Sequence, residues 1–329
     1  MSSKAVGAQT LEGDLRCSSW ARGVGLDPIG SAGSYDGYLL VEWPLPWPSD
    51  LGEIAELGPV ALAARAAGVR LQGLVPDGAG EAGGRDRVLG RRGARVPPER
   101  LRVACYHRRL AAPGVPSLEG LASSSRGALS EDLFKQPWYQ SLGLVEVHVP
   151  ASEVPDAAIA LLAAASNGDG HGPGAGGLSR GSSRSFGPDQ ASSEVLVCTH
   201  GRRDRCCGSL GTALVADLVR PAGEAGTSVA AGVGLDARLS RTSHTGGHRF
   251  APTAAVFPEG TLWAYLNATL LGEIVRHSCD PAVASPHYRG CPGLGAREVQ
   301  VLEREVLCAG PELASPGWSL LDLPMRGID

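Results

Sequence analysis

The chain has 329 residues, of which 43% are hydrophobic and 19% charged, with a formal net charge of −4. That balance fits a globular protein long enough to bury a core without disulfide staples, and it argues against a general nucleic-acid binder, which is usually basic. No run approaches the ~18 apolar residues of a membrane span. The start, MSSKAVGAQTLEGD, lacks the apolar stretch of a secretory signal, so a cytoplasmic, non-membrane protein is expected.

In chain order, GYLLVEW (37–43) reads as a strand that stops at the Pro-rich PLPWPSD. ALAARAAGVRLQGLV reads as a helix followed by a strand, and 78–98 as a loop. LRVACYH (101–107) and GLVEVHVP (143–150) read as strands, and PDAAIALLAAAS as a helix. Strands alternating with helices predict an α/β sheet. Residues 164–190 are rich in Gly and Ser, the composition of a flexible linker, with His171 as a solvated loop residue. This predicts two domains, 1–163 and 191–329. In the second, SEVLVCTH is a strand ending at Cys198. SLGTALVADLV is a helix with Leu210, Leu214 and Leu218 on one face, and TSVAAGVGLDARLSR can supply another strand. TAAVFPEGTLWAYL is a hairpin turned by Pro-Glu-Gly, and REVQVLEREVL is a helix with Val299, Leu302 and Val306 on one face. The order suits a thioredoxin-like α/β domain.

Eight cysteines in a chain of this length are too few for a disulfide scaffold, and in a reducing compartment thiols stay free unless they bind metal or do redox work. Cys17, Cys105, Cys279, Cys291 and Cys308 are scattered and read mostly as small buried hydrophobes. Cys198, Cys206 and Cys207 cluster in CTHGRRDRCCG, and SHTGGHR follows about forty residues later with His244 and His248. The Gly246–Gly247 pair disfavours a regular helix and lets the backbone turn so that both imidazoles converge. Two thiolates and two imidazoles suit tetrahedral zinc. They also suit a [2Fe–2S] cluster with two Cys on one iron and two His on the other. The spacing matches neither the short Cys pairs of structural zinc sites nor the Rieske pattern, and the residues alone leave open a site without metal. A thiol oxidoreductase is a further alternative, although C-x-x-C is absent.

CTHGRRDRCC, then SHTGGHRFAPTAAVFPEGTLWAYL and HYRG (287–290), resemble the sucrase/ferredoxin-like family. GYLLVEWPLPW and LFKQPWYQSLGLVEVHVP extend the resemblance more loosely into the first part. It implies a thioredoxin-like ferredoxin whose [2Fe–2S] cluster is held by Cys198, Cys207, His244 and His248, with Cys206 as the alternative to Cys207. No paired-carboxylate constellation points to glycoside hydrolysis. The implied role is that of an electron carrier rather than a catalyst. His ligation would raise the potential above that of an all-Cys cluster and couple it to protons. Arg202, Arg203, Arg205, Arg241 and Arg249 would form a basic rim that steers an acidic redox partner. His200 and Asp204 would support the loop. Phe250 and Trp263 would pack or shield, Arg289 and Gly290 would turn near the cluster, and Trp43 and Trp47 would be structural.

Overall fold

The computed structural model describes residues 16–76, 99–108, 142–168, 184–186, 193–219, 235, 237–294 and 296–309. The expected loop at 78–98, His171 and the LFKQPWYQS stretch lie outside these residues. A short helix α1 (Cys17–Gly23) precedes β1 (Gly37–Glu42), α2 (Gly58–Ala66) and β2 (Val69–Leu74). β3 (Leu101–His107), β4 (Gly143–Val149), α3 (Val154–Ser166) and β5 (Arg184–Phe186) follow. The second half runs through β6 (Glu194–Cys198), α4 (Thr212–Leu218), β7 (Arg238–Thr242), β8 (Ala254–Phe257) and β9 (Thr261–Trp263). It closes with α5 (Ala268–Val275), α6 (Pro281–Ala284), β10 (Tyr288–Gly290) and α7 (Arg297–Ala309).

The two halves trace the same path. β1 pairs with β2 in parallel across α2, then with antiparallel β3, which pairs with β4 before α3. β6 likewise pairs with β7 in parallel across α4, then with antiparallel β8, which pairs with β9 before α5. A parallel pair needs a crossover, and each helix supplies it. This α/β arrangement is consistent with a thioredoxin-like fold.

The strands form one ten-stranded sheet in the order β10-β9-β8-β6-β7-β2-β1-β3-β4-β5. The halves join where Leu74 of β2 pairs with Thr242 of β7. Ser243 N–H donates to Gly73 O at 2.8 Å, and Gly73 N–H donates to Ser243 Oγ at 3.0 Å. Residues 164–166, expected to open the linker, complete α3, and 184–186 pair with β4 as an edge strand. Between them, 169–183 lie outside the described residues.

Core packing follows from the apolar strands. β1 and β3 are buried at every position, as expected of strands covered on both faces. Leu39, Val103 and Val147 pack under α2 and α3 through Val60, Leu161 and Ala165. Val195, Val197 and Val256 pack under α4 and α5 through Leu214, Val215 and Leu271. A third cluster joins the halves, setting Leu40, Tyr106 and Leu144 against Leu196, Ala255 and Phe257. Each Val, Leu or Phe side chain among these contributes roughly 1.5–3 kcal/mol when fully buried. Within the shared interior Arg102 of β3 bonds Glu146 at 2.7 Å and Glu194 of β6 at 2.7 and 2.9 Å, and Tyr106 donates to Glu194 at 3.0 Å.

Candidate metal centre

Cys198 is the last residue of β6 and is fully buried. The chain then turns through GRRDR and re-enters a helix. Asp204 caps that helix, its Oδ1 accepting from Cys206 N–H at 2.8 Å. The next turn, Cys207–Gly211, is of the wider π type, common at functional sites. Gly211 makes the close approach possible, because a Cβ there would collide with the carbonyl of Cys198. The helix therefore sits tight against the strand end, and Cys207 comes to Cys198.

His244 leaves the end of β7 next door. Gly246 and Gly247 both adopt positive φ, +82° and +67°, so the loop doubles back as their sequence suggests. The sulfurs of Cys198 and Cys207 and a ring nitrogen of His244 lie within 4.8 Å of one another. His248 stands outside this close set. Its ring is near-parallel to that of His244, with centroids 6.4 Å apart. Its side chain is 46% exposed, with Nδ1 3.5 Å from Asp204 Oδ2. Cys206 points elsewhere, its sulfur 3.3 Å from that of Cys17 on α1.

The thiols are electrostatically unequal. The hydrogen bond from Cys207 holds Cys198 well below the usual thiol value against the opposing effect of burial; His244 and the backbone N–H groups of Thr245 and His200 assist. The same bond, then burial, pushes Cys207 upward. Thus Cys198 is prepared to be a thiolate, the form that ligates metal. His244 Nδ1 is buried without a hydrogen-bond partner, and buried polar atoms normally have one. Two soft sulfurs and an imidazole with an orphaned ring nitrogen fit a metal centre, and the donor types alone serve zinc or iron–sulfur equally.

Two arginines, one half-buried and one buried, brace the histidine loop. Arg70 on β2 donates to His244 O, which also accepts from Gln72 at 3.3 Å. Arg289, in β10, is 1% exposed. It donates to Gly246 O at 3.1 Å and to Ser31 Oγ and Ser31 O, each at 3.0 Å. Burial, with Arg70 nearby, lowers it to about 10 despite Tyr38 and the two cysteines. Arg289, expected in a turn near the cluster, lies instead in a strand beside the histidine loop, and Arg70 is a further brace that the motifs do not mark. The available signal was Arg70 and Gln72 alternating in an otherwise apolar strand.

The remaining residues divide clearly. His200 donates from Nε2 to Pro48 O at 2.8 Å and meets the fully buried Trp47 edge-on at 5.6 Å. Arg202, Arg205 and Arg249 are exposed. Arg203 is also exposed and donates to Ser49 O at 3.0 Å. Arg241 is half-buried, and burial lowers its pKa, so it belongs under the surface rather than to a rim. Phe250 packs on Ala21 of α1 and Tyr265, whereas Trp263 lies against Tyr288 of β10. A cleft of about 450 Å³ bordered by Tyr35, Arg65, Arg70, Arg203 and His200 reaches His244. Among the described residues no helix is long and apolar enough to cross a membrane.

No curated protein and no solved structure matches the chain. A family model described as Sucrase/ferredoxin-like matches residues 28–290, from just ahead of β1 to the end of β10 and across both Cys/His loops. The chain belongs to the sucrase/ferredoxin-like family.

Proposed function

We propose that this protein carries electrons on one [2Fe–2S] cluster held by Cys198, Cys207, His244 and His248. The observation that carries this reading is the meeting of Cys198, Cys207 and His244 within 4.8 Å, with the His248 ring stacked beside His244. When bound, such a cluster accepts and returns single electrons.

The chain's own groups then have definite tasks. Cys198 and Cys207 would supply thiolate charge from buried positions. N–H groups of His200 and Thr245 direct positive dipoles at Cys198, which favours added negative charge. Arg289 and Arg70 fix the histidine loop and add positive potential close to the thiolates. His248 stands beside His244, and its exposure suits a ligand that exchanges protons with solvent. Arg202, Arg205 and Arg249 surround this exposed edge and suit an acidic protein partner. A cytoplasmic setting, where free thiols persist, agrees with the absence of disulfides among the described cysteines.

The competing reading is a zinc-stabilised interaction module, favoured by the tetrahedral suitability of a Cys₂His₂ set. Anaerobic purification separates the two. The electron-carrier reading expects visible absorption that bleaches on dithionite, whereas a colourless protein unresponsive to dithionite contradicts it.

A further inference from the structure

We propose that Cys17 and Cys206 are a modification site: a thiol pair that closes to a reversible disulfide and ties α1 to the metal-ligand loops. Their sulfurs lie 3.3 Å apart in the structure, against the roughly 2.05 Å of a disulfide bond. They come from segments separated by 189 positions, so the fold rather than chain proximity brings them together. Cys17 lies ahead of residue 28, where the family match begins, and Cys206 lies within it.

The location gives the bond a consequence. α1 touches both ligand loops: Arg16, just before it, donates to Ser209 at 2.8 Å, and Ala21 packs on Phe250, two residues after His248. A covalent link from Cys17 to Cys206, the neighbour of Cys207, would hold α1 in place over the centre. The third donor nearby, Asp204, accepts from Cys206 N–H through Oδ1 and lies 3.5 Å from His248 through Oδ2. At rest Cys17 stays protonated, because burial, then the hydrogen bond with Cys206, pushes it up to about 11.

Oxidation requires a small-molecule disulfide such as oxidised glutathione. One protein sulfur attacks it and expels one glutathione. The second protein sulfur attacks the mixed disulfide and expels the other. The protein loses two hydrogens and two electrons, and glutathione disulfide becomes two glutathione thiols.

The test incubates the full chain with oxidised glutathione at pH 8.5, blocks remaining thiols and maps the bonds by mass spectrometry without reduction. The expected result is a Cys17–Cys206 bond, reversed by dithiothreitol and absent in Cys17→Ser and in Cys206→Ser. Exposed Cys308 reports that the reagent is active. If Cys308 reacts while Cys17 and Cys206 stay free, or if the bond forms between Cys206 and Cys207, the site is wrong. The mapping needs no assumption about the metal, so it can fail independently of the electron-carrier reading. Oxidised wild-type protein should also lose bound metal to a chelator several-fold more slowly than reduced protein or Cys17→Ser. Equal rates would overturn the tethering role.

Discussion

Arg289 Nη1 donates to the carbonyl oxygen of Gly246 at 3.1 Å, between His244 and His248. The same guanidinium bonds Ser31 twice. Among the described residues it forms no salt bridge with a carboxylate, and Tyr38, Cys198 and Cys207 favour its charged form. The expected result for Arg289→Gln is a loosened histidine loop and a metal affinity lower by about 10–100-fold. Competition with a chromogenic chelator measures it. Arg289→Lys should recover only part of the loss, because an ammonium lacks the planar fork that bonds Ser31 and Gly246 together.

The ligand assignment makes its own prediction. His244→Cys and His248→Cys should each retain a cluster, shift its potential downward and flatten its dependence on pH, since thiolate adds negative charge and removes a titrating ring. Potentiometry across pH 6–9 reads both effects. Cys206→Ser should leave the visible spectrum intact, and Cys207→Ser should abolish it.

Arg102 is buried with two carboxylates, and one of them, Glu194, belongs to the other half of the sheet. Arg102→Ala would leave both acids without their cation. A loss of about 3–5 kcal/mol is expected for breaking such a pair from one side, seen as a lower urea midpoint. Burial opposes ionisation of Glu146, but Arg102 outweighs it and lowers the carboxyl below its ordinary value of 4.5. A depressed folded value means that Glu146 stabilises the fold above pH 4.5 and that this contribution disappears as pH falls through the lowered value. Acid unfolding should therefore begin below pH 4.5, and removing Arg102 should move its onset upward.

Glu303 has the opposite sign. Burial raises it to about 7 against the help of Tyr288, which donates to it at 2.7 Å. The unfolded chain ionises this acid near 4.5, so folding loses stability as pH rises from that value to about 7. Glu303→Gln should raise the melting temperature at pH 8 relative to wild type and change it less at pH 4, as followed by calorimetry.

Much of the scaffold is legible from apolar strand runs. GYLLVE, LRVACYH and GLVEVHV become strands at almost the expected limits because each is buried and β-rich. The continuous sheet is not legible, since its ladder joint is a single residue pair, Leu74 with Thr242, supported by the Gly73–Ser243 bonds and with no local signature. α5, in ATLLGEIV, was also missed; its signal was Asn267, which caps the helix by accepting from Leu270 N–H. At the site, the Gly246–Gly247 turn and the meeting of Cys198 with Cys207 follow from spacing and resemblance. The bracing by Arg70 and the partnership of Cys206 with Cys17 depend on residues far away in sequence, which spacing cannot reveal.

The most direct measurement is the elemental content of anaerobically purified protein: iron, acid-labile sulfide and zinc per chain. The account predicts about two iron and two sulfide per chain, with both lost in Cys198→Ser. About one zinc per chain, with neither iron nor sulfide, would contradict it.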